Sequence, residues 1–268
     1  MKPMNNLSTR VNNVMSEKKK ALSFFVTAGF PTLEITVPLV VELAKAGADV
    51  IELGIPFSDP VADGPIIQAS SEIALRNGIT LNKTLEMARQ IRQQSDVPLV
   101  FMGYANPIFS MGLENFLSSC HAIGIDGVII PDLPLEESEE YRMLAKQNNV
   151  STIFLAAPTT SNERLKLLDE ASTGFLYCVS VTGVTGERQQ ISIQAKEFLT
   201  RARTCVKNNP LFVGFGISTP EDAQQIAQYA DGIIIGSALV KILQNAPLRQ
   251  AVSDAVTFVK SIRKALAS

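Results

Sequence analysis

The 268-residue sequence has a single histidine, His121, and that scarcity excludes more chemistry than any other feature of its composition. Three-histidine zinc sites, Ser-His-Asp triads and H-E-x-x-H zincins cannot be assembled from one imidazole. Cysteine is nearly as scarce. Cys120, Cys178 and Cys205 are odd in number, widely spaced and contain no C-x-x-C pair. They read as reduced thiols of a cytosol-like compartment, bacterial cytoplasm or plastid stroma alike, rather than as a disulfide framework. No apolar run approaches the roughly 18 residues that a transmembrane helix needs. The opening MKPMNNLSTRVNNVMSEKKK lacks the apolar core of a secretory signal. Charged residues are only 19% and the formal net charge is −2, so neither nucleic acid nor an anionic membrane is an expected partner.

What is present is apolar and periodic. Hydrophobic residues reach 46%, and β-branched runs recur at 21–29, 48–57, 97–104, 127–132, 151–158, 174–181, 210–216 and 232–238. Helical periodicity fills the gaps, at 32–47, 65–78, 80–94, 113–124, 136–149, 161–172 and 219–230. Near-continuous apolar strands alternating with helices indicate parallel strands covered on the outside. Eight such units fit an α/β fold of the closed (β/α)₈ TIM-barrel type, read here as one domain over residues 1–268. Leu7, Val11, Val14 and Met15 fall at helical spacing and predict a helix capping one end. Extra helices are expected after strand 2, in the long connection 58–96, and after strand 8. The segment 182–194 reads as a long connection of the kind that forms lids.

Active sites in this fold gather at the C-terminal ends of the strands. The stretch 50-VIELGIPFSDPVADGP-65 places three acids there. Alternation puts Glu52 on one face with Val50 and Gly54, and Ile51, Leu53 and Ile55 on the other. The aliphatic face should meet helices, so Glu52 points into the barrel mouth. No Lys or Arg lies inside any predicted strand to pair with it, which favours acid/base work over a structural salt bridge. Asp63, on the following loop, can swing over the mouth. Asp59, before Pro60, reads as a turn-maker. Asp132 ends the fourth strand and is equally compatible with catalysis and with tethering a loop.

Glycine signals follow the late strands: 182-TGVTG-186, 214-GFGIS-218 and 235-IGSALVKIL-243. The last reads as a strand, then Gly236 and Ser237, then a helix whose first N–H groups form a ready anion site. A phosphorylated small molecule is the natural ligand. Lys18 to Lys20 and Lys241 are poorly placed for Schiff-base chemistry, and a histidine-built metal site is ruled out. Carboxylate acid/base catalysis on a phosphate ester remains. If a C–C bond breaks, the substrate must carry its own electron sink.

The segment 51-IELGIPFSDPVADG-64, together with TGVTG, GFGIS and IGSALVKI, closely resembles the tryptophan synthase α-subunit family, over essentially the whole chain from FVTAGFP at 25–31 onward. The resemblance implies a carbon–carbon lyase of tryptophan biosynthesis, cleaving indole-3-glycerol phosphate to indole and glyceraldehyde 3-phosphate. It implies Glu52 and Asp63 as catalytic acids, with Asp63 holding the indole N–H. It implies phosphate contacts at Gly186, Gly216, Gly236 and Ser237, and an indole slot of Phe25, Met102, Ile129, Tyr177, Phe215 and Ile234. Thr185 matches the lid threonine. The resemblance further implies a pyridoxal-phosphate-dependent β subunit as partner in an α2β2 heterotetramer, with the PLP in that partner and no cofactor or metal in this chain. Pro107, Phe109 and Met111, read as a loop at 105–112, match the contact segment. The sequence departs from some relatives at Gly103, near the slot wall, and at Glu187. A free-standing indole-releasing lyase would use the same residues, and a silent phosphate-binding barrel is the alternative from another class.

Overall fold

The computed structural model describes residues 5–179, 193–214 and 216–267. Element order is α1 (Asn6–Ser16), β1 (Ala21–Thr27), α2 (Thr36–Lys45), β2 (Val50–Gly54), α3 (Pro65–Arg76), α4 (Leu81–Arg92), β3 (Leu99–Met102), α5 (Ala105–Met111), α6 (Leu113–Ile123) and β4 (Gly127–Ile129). A 3-10 turn (Leu135–Glu137) leads into α7 (Glu139–Gln147), β5 (Ser151–Ile153), β6 (Leu155–Ala156), α8 (Asn162–Ala171), β7 (Leu176–Val179) and α9 (Ile193–Cys205). The chain ends with β8 (Leu211–Gly214), α10 (Pro220–Ala227), β9 (Gly232–Ile235), α11 (Ser237–Asn245) and α12 (Leu248–Ala267).

The sheet runs β5-β4-β3-β2-β1-β9-β8-β7-β6, with every pairing parallel. Its two ends, β5 and β6, are consecutive halves of one strand interrupted at Phe154. The first half bonds β4 and the second bonds β7, with Tyr177 N–H donating to the Phe154 carbonyl at 3.0 Å. Nine segments thus close into eight staves, and the fifth predicted strand is real but split.

Alternation sorts the strand side chains into two cores. Ile51, Leu53 and Ile55 join the outer core beneath the helices. Val50, Val100, Ile129, Ile153, Phe212 and Ile234 fill the interior. Leu7 and Val11 of α1 belong to that interior cluster, so α1 plugs the N-terminal end of the barrel. Val14 packs at its edge, whereas Met15 is 37% exposed and lies off the face predicted for it.

A polar bracket recurs at that end on every second stave. Leu22 N–H donates to Asp49, Leu99 N–H to Asp126, Thr152 N–H to Thr173 and Leu211 N–H to Asp231, at 2.9–3.0 Å. Arg263, Arg92 and Arg203 pair with the three aspartates. These side chains fix strand register at the end opposite the mouth, where such features serve stability in this fold.

The predicted extra helices are α3 after β2 and α11 after β9. Two elements differ from the sequence reading. The segment 105–112 is not a loop: Ala105–Met111 form the helix α5. Pro107 sits in its first turn, where its missing N–H has no intrahelical acceptor to lose, and Gly112 then turns the chain at φ +88°. Helix α9 follows the connection and buries Phe198, Leu199 and Ala202. Among the described residues no helix is long and apolar enough to cross a membrane.

Candidate active site

Glu52 lies in mid-strand on β2, facing inward opposite Phe25 and Val100 in the register of the neighbouring strands. It has no solvent exposure. Its Oε1 accepts a hydrogen bond from the Ser23 hydroxyl at 2.9 Å, and among the described residues no group hydrogen-bonds Oε2. Burial pushes the Glu52 carboxyl up to about 8, with the Ser23 hydrogen bond opposing the shift. The group is therefore a neutral acid near neutral pH. A carboxyl in this state can give a proton from Oε2 and take one back there.

The space beside Glu52 is shaped by two strand glycines. A Cβ on Gly54 would come within 2.4 Å of the Phe25 ring, and one on Gly214 within 2.6 Å of the Tyr177 hydroxyl. The far end of each ring therefore comes close against a bare stretch of neighbouring strand, which only glycine permits. Met102, Leu155 and Tyr177 border the interior cluster and are only partly buried, so they look into the mouth. Ile129 and Ile234 are buried in the layer that forms its floor. Leu155 was not singled out in the sequence reading, although alternation across 151–158 could have identified it. Phe215, Gly186 and Thr185 lie outside the described residues.

Asp63 sits on the loop between β2 and α3. The loop is folded on itself, with Asp63 N–H donating to the Pro60 carbonyl at 3.0 Å and the Gln68 amide donating to the Asp63 carbonyl at 2.8 Å. Tyr104, at the start of α5, steadies it from the side. Its hydroxyl accepts from Ala62 N–H at 3.0 Å and hydrogen-bonds the Asp63 carboxyl, while its ring packs 5.3 Å from that of Phe57. Burial raises Asp63 to about 6, with the Tyr104 hydrogen bond pulling the other way. The two acids thus divide near pH 7 into a protonated Glu52 and an ionised Asp63, the separation by environment that distinguishes an acid from a charge stabiliser. Tyr177 senses both: burial, then the Glu52 and Asp63 charges, hold its phenol protonated well above the usual range.

The other two acids have local duties. Val61 N–H donates to the Asp59 carbonyl at 2.9 Å, as a turn requires. Asp132 accepts from Ala105 N–H at 2.9 Å and so caps the start of α5. Of the two roles open to Asp132, this contact is that of a tether. Gly103 faces Ile55 in the outer core, away from the slot wall.

Gly216 follows β8 in a left-handed conformation, φ +52°. Gly236 follows the neighbouring β9 and forms the N-cap of α11, which begins at Ser237. First-turn N–H groups of a helix have no intrahelical acceptor, and the dipole adds partial positive charge. These two loops cluster on adjacent staves and suit an anion. Among the described residues no group of three or more His, Cys, Asp or Glu side chains could hold a metal ion.

Fold and site define the class: a (β/α)₈ barrel enzyme with a carboxylic acid pair at its mouth. The family profile described as tryptophan synthase alpha chain matches residues 11–267. The chain is 51% identical over 227 residues to the tryptophan synthase alpha chain of Petrotoga mobilis, covering 85% of this chain and 88% of that one. A crystal structure of the tryptophan synthase alpha chain from Legionella pneumophila superposes with a TM-score of 0.90 at 37% identity, covering 98% of each chain. A structure of Mycobacterium tuberculosis tryptophan synthase gives 0.89 at 34% identity, again with 98% of each chain covered. The chain belongs to the tryptophan synthase alpha chain family.

Proposed function

We infer that the protein cleaves indole-3-glycerol phosphate to indole and glyceraldehyde 3-phosphate. The observation that carries this reading is the placement of two acids, Glu52 fully buried in the barrel with Oε1 held by Ser23 and Oε2 without a partner among the described residues, and Asp63 on the loop above it. In a retro-aldol step, Oε2 of Glu52 gives its proton to C3 of the indole ring. The ring nitrogen becomes cationic, and the ionised Asp63 accepts the hydrogen bond from its N–H. The carboxylate left on Glu52 then takes the proton of the hydroxyl on the adjacent side-chain carbon. That carbon becomes an aldehyde, the C–C bond breaks, and its electron pair neutralises the ring. The proton count balances with no added cofactor, and burial of the acid is what keeps it protonated at the start.

Phe25, Met102, Tyr177 and Phe215 are assigned to the walls of the indole slot, and Ile129 and Ile234 to its floor. Gly186, Gly216, Gly236 and Ser237 are assigned to the phosphate, and Thr185 to ordering of the loop above. The partner is a β subunit, which brings its own PLP, and the assembly is an α2β2 heterotetramer. Phe109, 46% exposed on α5, and Val61, 81% exposed on the Asp63 loop, present apolar surface on segments joined by the Tyr104 hydroxyl. With the less exposed Pro107 and Met111 they form the docking edge, which places a partner directly on the elements that hold Asp63.

The test is indole formation from indole-3-glycerol phosphate by the purified chain, alone and with a tryptophan synthase β subunit. Weak activity that rises on adding β is expected. High activity indifferent to β would instead identify a free-standing lyase, and no indole in either case would leave a silent barrel.

A further inference from the structure

We propose that Ser23 is a positioning residue of this reaction, its hydroxyl holding one oxygen of Glu52 so that the proton travels through the other. This rests on the lyase reading above and deepens it. Ser23 lies on the inward face of β1, paired in register with Val50 on one side and Ile234 on the other. It is fully buried, in a layer of aliphatic side chains where a hydroxyl needs a partner. The partner is Glu52 Oε1, at 2.9 Å. Ser23 is one inward position nearer the barrel floor than Phe25, the residue opposite Glu52. It therefore stands behind the carboxyl rather than in the slot, and substrate does not reach it.

The hydroxyl does two things to the acid. It fixes the carboxyl plane, because a side chain held at Oε1 cannot rotate its second oxygen away from the ring carbon that receives the proton. It also stabilises the carboxylate that forms when the proton leaves, since a hydrogen bond donated to a charged oxygen is stronger than one to a neutral acid. Burial alone would make Glu52 too weak an acid to protonate carbon readily, and Ser23 offsets part of that. Two titratable groups bear on the site from other elements: the Tyr177 phenol on β7, which feels both carboxyls, and Asp63 on the loop after β2. Neither donates to Oε1 among the hydrogen bonds described, so the Ser23 contact is the one that can be removed alone.

The experiment compares wild type, Ser23→Ala and Ser23→Thr. It measures kcat and KM for indole formation across pH, with the β subunit present, and follows the Glu52 carboxyl by carbon NMR. Ser23→Ala should lower kcat at pH 7 by about tenfold, the scale of one hydrogen bond to an ionisable group, with KM changed by less than about twofold. The high-pH limb of kcat and the carboxyl titration should both move to higher pH. Ser23→Thr keeps the hydroxyl and should restore both. Ser23→Ala with wild-type kcat and an unmoved titration would overturn the proposal while leaving the lyase reading standing. A fall in stability with no movement of the titration would reduce Ser23 to packing, also against the proposal. No indole from wild type would overturn the lyase reading and this one with it. The NMR titration would still report whether Ser23 tunes the acid.

Discussion

The Tyr104 hydroxyl takes a hydrogen bond from Ala62 N–H at 3.0 Å and gives one to the carboxyl of Asp63. The end of one strand thereby holds the loop of another, and the acid on that loop stays ionised at neutral pH despite its burial. With Glu52 needed as the acid and Asp63 as the charge, kcat should be bell-shaped, falling below about pH 6 and above about pH 8.

Tyr104→Phe tests the lower limb. Losing one hydrogen bond, worth about 1 kcal/mol, should raise Asp63 by somewhat less than a full pH unit. Activity then begins to fail at higher pH as the solution is acidified. At pH 6.5 the variant should be about twofold slower than wild type, the gap should widen towards about fivefold at still lower pH, and at pH 8 it should nearly vanish. A gap independent of pH would mean that Tyr104 serves only to hold the loop.

Glu52 should make folding stability depend on pH in a specific direction. Its folded value, about 8, lies above the ordinary 4.5, so the native state binds the proton more tightly than the unfolded chain does. The resulting stabilisation is complete below about pH 4.5 and is lost as pH rises through about 8. The span amounts to an upper figure of about 5 kcal/mol. Glu52→Gln cannot ionise, so its melting temperature should exceed that of wild type at pH 9 by several degrees and by much less at pH 5. Parallel curves for the two proteins would show that Glu52 is not protonated in the fold.

Gly214 and Tyr177 should be coupled. A Cβ at position 214 meets the Tyr177 oxygen at 2.6 Å and ring carbons at 2.8 and 3.1 Å. Gly214→Ala should therefore displace the ring and lower kcat/KM by roughly a hundredfold, the scale of an ångström-size misplacement near reacting atoms. Tyr177→Phe in the same chain removes the nearest atom but not the ring. It should recover part of the loss, and independent, additive effects in a double-mutant cycle would contradict the contact.

The barrel was legible because its strands are buried on both faces and read as separate apolar runs. Glu52 was legible for the same reason, an acid on the inward phase of such a run with no basic residue inside any strand to pair with it. Helix α5 was not, because Pro107 and Gly112 punctuate the segment as a loop would, and only the Asp132 cap shows where the helix starts. Ser23 and Tyr104 were missed for a different reason. Each acts on a residue 29 or 41 positions away, across strand pairing or a loop, and no periodicity within one segment carries that register. The split of the fifth stave at Phe154 likewise follows from which neighbour each half bonds.

The most direct test of the central claim, that Glu52 carries the proton, is turnover of indole-3-glycerol phosphate by Glu52→Gln. Binding of an unreactive analogue lacking the glycerol hydroxyls is measured alongside. The amide keeps the size of the side chain and can still accept from Ser23, but it has no acidic proton to give. Loss of indole formation by at least about a thousandfold with analogue affinity within about threefold of wild type is the predicted result. Turnover close to that of wild type would remove Glu52 from the mechanism.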